Sequence, residues 1–109
     1  MKTWIALSFG LFAATQALAE ERHFVCISDR DGSEIRLNRA TAGDKGSIET
    51  PKITGDAVVF KGVGSMTFMH IEDQDVMTFV VHFEDMSYDL SVKGPHAEED
   101  HGMCEEVQA

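Results

Sequence analysis

From Ala57 to Val92 apolar and polar residues alternate with a period of two, interrupted by short runs of Gly, Asp, Glu and Gln. That is the pattern of half-buried strands joined by tight turns. One register explains the last hairpin on both of its faces. With a turn at Glu84-Asp85, Phe83 faces Met86, Val81 faces Tyr88, Phe79 faces Leu90 and Met77 faces Val92, so these apolar side chains share one side. The other side then pairs His82 with Ser87, Val80 with Asp89 and Thr78 with Ser91. Extending backwards, the polar loop Glu72-Asp73-Gln74-Asp75 sets Phe68 opposite Phe79, Met66 opposite Val81 and His70 opposite Met77 on the same apolar face. A further turn over Gly62-Val63-Gly64 places Phe60 opposite Met66 and Val58 opposite Phe68. The outer face of this meander keeps Val59, Met69, Ile71, Val76 and Val80, more apolar than solvation requires, which predicts cover by another part of the chain or by a partner.

Before the meander, Phe24-Val25-Cys26-Ile27 reads as a strand, Asp29-Arg30-Asp31-Gly32 as a turn and Glu34-Ile35-Arg36-Leu37 as an alternating strand. Between Arg39 and Asp56 lie three glycines, a proline and few apolar residues, which predicts a long loop with a short strand near Ile48 or Ile53. After Val92 the chain turns at Gly94-Pro95 into an acidic tail, residues 93–109. No segment has the 3.6-residue apolar period of a long helix. The expected fold is therefore all-β, a small antiparallel meander of about six or seven strands that closes as a barrel or folds over itself.

The N-terminus changes what counts as the folded chain. Lys2 is followed by an apolar run from Trp4 to Ala14, a polar break at Thr15-Gln16 and the small-residue ending Ala17-Leu18-Ala19. This is the form of a signal peptide cleaved between Ala19 and Glu20, and its apolar stretch is short of the roughly 20 residues that a spanning helix needs. No cysteine follows the cleavage point to take a lipid, so a periplasmic or secreted product free of the membrane is expected. Removing nineteen of 109 residues leaves 90, one domain spanning residues 20–109. Its two cysteines, Cys26 and Cys104, sit near its two ends and are expected to pair in an oxidising compartment, tying the acidic tail back to the first strand.

Charge and motifs then restrict the function classes. The whole chain has nine Lys and Arg against nineteen Asp and Glu, and only Lys2 falls in the signal, so the mature domain carries a net charge of −11. Such a field disfavours nucleic acid and anionic membranes and favours a cationic protein partner. The chain contains no G-x-S-x-G, no H-E-x-x-H and no phosphate-binding glycine loop, and its cysteines are committed to a disulfide, so a non-enzymatic role is expected. Two residue sets have the chemistry of metal ligands. His96, Glu98, Asp100 and His101 gather imidazole and carboxylate donors suited to copper or zinc, and His70 with Met66 and Met77 offers the softer set that copper(I) prefers.

The placement of Cys26 and Cys104 near the ends of a small exported β domain resembles in outline that of lysozyme inhibitors. The loop residues of such inhibitors have no counterpart here. The resemblance implies binding to a cationic enzyme, whose encounter the net negative charge would accelerate. The sequence thus supports an exported binding or accessory protein acting through a protein partner, with metal binding or inhibition of a lysozyme-type enzyme as alternatives. The segments freest to present contacts are the loop from Arg39 to Asp56 and the stretch from His96 to Asp100.

Overall fold

Period-two alternation carries through almost the whole chain in the computed structural model, which describes residues 21–40 and 44–107. Eight strands follow one another: β1 (Arg22–Ser28), β2 (Glu34–Arg39), β3 (Lys45–Glu49), β4 (Thr54–Gly62), β5 (Ser65–Glu72), β6 (Asp75–His82), β7 (Ser87–Lys93) and β8 (Glu98–Val107). Each pairs antiparallel with the next, and β8 returns to pair with β1, closing an up-and-down barrel. Among the described residues, closure leaves no open edge strand. The predicted signal peptide, residues 1–19, lies outside the described residues. Among the described residues no helix is long and apolar enough to cross a membrane.

An eight-stranded barrel has an interior just wide enough for side chains to fill it. Here Phe24, Leu37, Ile48, Phe68, Phe79, Val81 and Tyr88 fill it and are wholly buried. Phe24 meets Phe68 edge-on, with ring centroids 6.2 Å apart and planes at 76°, the geometry that aromatic quadrupoles favour. Charged residues such as Glu34, Arg36, Asp89 and Glu105 face outwards and are exposed. Apolar inside with charges outside is the reverse of a lipid-facing barrel.

The registers predicted for β5 with β6 and for β6 with β7 are those observed: His70 opposite Met77, Phe68 opposite Phe79, Val81 opposite Tyr88 and Met77 opposite Val92. The β6–β7 connection has four residues, because Phe83 and Met86 leave the ladder while still packing against the core. Met86 takes the left-handed backbone conformation, with φ at 58°.

Two expectations are corrected. The first concerns β4, where the turn is Val63-Gly64 and Gly62 pairs with Ser65, so Val59 faces Phe68 and Lys61 faces Met66. Ala57 and Val59 therefore point inward and are buried, while Val58 and Phe60 point out, 43% and 49% exposed. The cause is room inside the barrel. A β-carbon on Gly46 of β3 would come within 2.7 Å of Val59 Cγ2, and one on Gly55 would strike the His70 ring. The inner side of β4 is therefore Gly55 beneath the His70 ring, Ala57, and Val59 in the space that Gly46 leaves, and the bulkier Phe60 lies outside.

The second correction concerns the acidic tail. Its residues 98–107 form β8, which pairs with both β7 and β1. The strand count is eight rather than six or seven for that reason. Cys26 and Cys104 lie directly opposite each other on β1 and β8 and are bonded, so the disulfide crosses the seam where the barrel closes. The stretch between Arg39 and Asp56 contains β3, with Ile48 wholly buried, and ends in the first residues of β4.

Candidate functional site: the open mouth of the barrel

The two ends of the barrel differ. At the end where β1 begins, Arg22 donates from Nε and Nη2 to the two carboxylate oxygens of Glu106, each at 2.8 Å. Its guanidinium lies over the rings of Phe24 and Phe83, 5.3 and 4.6 Å from their centroids, and those two rings stack at 6.2 Å. A cation spread over aromatic faces and forked to a carboxylate makes a fitted cap.

The opposite end collects the β1–β2, β3–β4, β5–β6 and β7–β8 connections, because every second turn of a meander falls on the same side. There the barrel opens into a cavity of about 340 Å³. Ile35, Met77, Phe79, Leu90 and Val92 form its apolar wall, and Ile53 dips in from the β3–β4 loop. That loop is held by its own residues: Thr50 N–H donates to the Ile53 carbonyl at 2.7 Å, and Thr50 Oγ1 accepts from the Ile53 and Lys52 amides. The β7–β8 loop is latched across the rim, where Asp75 accepts from the His96 amide at 3.0 Å and faces His96 Nδ1 at 2.7 Å. The His96 amide bond, followed by the imidazole contact, holds the Asp75 carboxyl below the usual carboxylate range.

One charge lies deeper. Asp100 is only 9% exposed and lines the cavity. Its Oδ2 accepts from Ser28 Oγ at 2.5 Å and from the Tyr88 hydroxyl at 3.2 Å. Ser28 in turn accepts from the Arg30 amide at 3.1 Å. Burial works to raise the Asp100 carboxyl, but the bonds from Ser28, the His101 amide and Tyr88, with the nearby charge of Arg30, outweigh it and hold the group below its ordinary range. Burial, then the Asp100 charge, pushes the Tyr88 phenol up to about 12, so it remains a hydrogen-bond donor. Arg30 itself pairs with Glu98 at the exposed rim, at 3.3 Å.

The structure separates the first set of predicted metal ligands. The alternation of β8 points Asp100 inward and His101 outward, 71% exposed at its side chain and 3.8 Å from Asp29. His96 is engaged by Asp75 and Glu98 by Arg30. The second set does lie on one inner face, with His70 opposite Met77 and Met66 further along β5. Both His70 nitrogens already have partners, Nδ1 at 2.7 Å from the Asp56 carbonyl and Nε2 at 3.0 Å from Glu72. A metal there would have to displace one of them. Among the described residues no three His, Cys, Asp or Glu side chains are grouped so as to hold a metal ion.

The sequence pattern offers Asp100 as a metal ligand and does not single out Ser28, Tyr88 or the apolar wall as a site. The signal for the wall was present: Phe79, Leu90, Met77 and Val92 fall on the predicted inner face. Which end of that face stays open depends on the Arg22 cap and on β8, neither of which has an apolar pattern. Comparison with family models, with curated proteins and with solved structures found no match for this chain.

Proposed function

We propose that this protein is a non-enzymatic binding protein of the periplasm or another oxidising extracellular space, exported by residues 1–19, that receives part of its ligand in the open mouth of the barrel. The observation that carries this reading is the difference between the two ends, one capped by Arg22 and Glu106 and the other opening onto an apolar wall. Concave, mostly apolar sites with a few placed polar groups are the usual form of ligand pockets, and about 340 Å³ falls at the small end of their range. The space suits one projecting side chain of a protein partner or a small molecule of the same bulk. The disulfide across the seam supports an oxidising compartment.

A neutral probe tests the reading without involving charge. Binding of n-hexanol is followed by ligand-observed NMR for the wild-type protein, for Val92→Phe, which fills the mouth, and for Phe60→Ser on the outer face. Binding that is lost in Val92→Phe and kept in Phe60→Ser is expected. Loss in Phe60→Ser with retention in Val92→Phe would move the site to the outer face of β4 and β5 and overturn the proposal.

A further inference from the structure

Asp100 is an ionised carboxylate, nine-tenths buried, beside the apolar wall of a cavity whose other charged side chains lie at the rim. Buried charges in proteins are normally paired with an opposite charge, yet the hydrogen-bond partners of Asp100 are hydroxyls and a backbone amide, and Arg30, whose charge acts on it from nearby, is itself paired with Glu98 at the exposed rim. The other carboxylates that line the mouth are engaged at the rim: Glu98 with Arg30, Asp75 with His96, Glu72 with His70 and Asp31 with the Ser33 amide. Around the mouth five carboxylates stand against the two permanently charged basic side chains Arg30 and Lys52 and the imidazole of His96, all three at its exposed edge. An incoming group therefore meets an apolar wall, a surplus of negative charge and one buried carboxylate with acceptor capacity remaining, since a carboxylate offers about four lone-pair sites.

We infer that the mouth takes a primary ammonium carried on an aliphatic stem. The stem matches Leu90, Val92 and Met77, and the ammonium completes the charge pair of Asp100. A guanidinium fits less well, because its fork asks for both carboxylate oxygens and Oδ2 already receives Ser28 and Tyr88. The compact ammonium needs only one of the acceptor sites that remain on the carboxylate. Two sources supply this chemistry: a lysine side chain projecting from a protein partner, and a free alkylamine or polyamine. The net charge of −11 carried by residues 20–109 accelerates the approach of either.

This inference rests on the mouth being the binding site, and the test separates the two claims. Calorimetric titrations of the disulfide-bonded mature protein use n-hexylammonium, n-hexanol and n-hexanoate, which share a stem and differ in charge. The ammonium is expected to bind tighter than the other two by about tenfold or more, as a charge-assisted hydrogen bond implies. Asp100→Asn, which keeps the shape and one acceptor, should weaken the ammonium by about tenfold and leave n-hexanol within about twofold. The three-ligand comparison on wild-type protein decides the matter even if that variant folds poorly. A lysine-rich peptide and spermidine then distinguish the sources: tighter binding of the peptide assigns the ammonium to a protein partner, and tighter binding of spermidine to a free polyamine. If n-hexanol binds as well as the ammonium, the inference falls and the mouth reading stands. If n-hexanoate binds best, the inference is overturned in favour of recognition by Arg30 and Lys52. If none of the three binds, both fall.

Discussion

Replacing Cys26 and Cys104 together by alanine removes the covalent closure of the barrel, and the cost can be worked from where the bond sits. The two residues are 78 apart in sequence. On the chain-entropy model, opening a loop of that size returns about 15 cal/mol/K to the unfolded chain, or about 4.5 kcal/mol at 25 °C. A domain of this size has a total stability of about 5 to 13 kcal/mol, so the bond accounts for between a third of it and nearly all. The folded barrel does not depend on the bond for its shape. β1 and β8 also share a six-pair ladder, the Ser28–Asp100 bond and the Arg22–Glu106 fork. The expected outcome of equilibrium urea unfolding is a double variant that keeps its folded β spectrum in water but loses roughly 4 kcal/mol. Its m-value should rise, because the unfolded chain is no longer held compact by a cross-link. A loss below about 1 kcal/mol with an unchanged m-value would refute the reasoning. It would mean that the unfolded chain keeps its two ends together without the bond.

The other predictions address register, titration and close approach. Val59→Ala should cost roughly 2 kcal/mol, since Val59 is buried inside the barrel, whereas Phe60→Ala on the outer face should stay within about 0.5 kcal/mol; the reverse order in urea midpoints would restore the opposite facing of β4. Asp100 and Glu106 are held below their ordinary values of 3.8 and 4.5, so the unfolded chain binds protons first. Their stabilisation is complete above those values and is lost as pH falls through them toward the lower folded-state values. Asp100→Asn should flatten this acid limb, and a stability that instead rises on acidification would show that carboxylate repulsion dominates. Gly102→Ala should cost about 1 to 3 kcal/mol or more, because a β-carbon there would run into the Ile27 carbonyl and come within 2.8 Å of the Tyr88 ring; thermal unfolding indistinguishable from wild type would show that β1 and β8 are less closely apposed.

What the sequence made legible follows from where burial and alternation coincide. β5, β6 and β7 carry large apolar residues on the inner positions from Met66 to Val92 apart from His70 and the rim pair Glu72 and Asp75, so both of their registers could be read directly. β4 misleads because its inner positions are the small Gly55, Ala57 and Val59, with Gly55 packed under His70 and Val59 filling the space left by Gly46. The larger Val58 and Phe60 outside then imitate a core face. β8 is invisible to hydrophobic pattern. Its inner positions are Glu98, Asp100, Gly102, Cys104 and Glu106, and only the cysteine hints at the interior. The site shares that limit. Its wall was on the predicted inner face, but Asp100 becomes a buried charge only once β8 closes the barrel and brings it to Ser28 and Tyr88, 72 and 12 residues away.

The claim on which the rest depends is that the mouth, and not the outer face of the barrel, receives the ligand. Intermolecular nuclear Overhauser effects between the alkyl protons of a bound six-carbon probe and the methyl groups of the protein test it most directly. The account predicts contacts to Leu90, Val92, Met77 and Ile53, which line or enter the mouth, and none to Ile71 or Val58 outside. Contacts confined to Ile71 and Val58 would contradict it and place the binding surface on the exposed sides of β4 and β5.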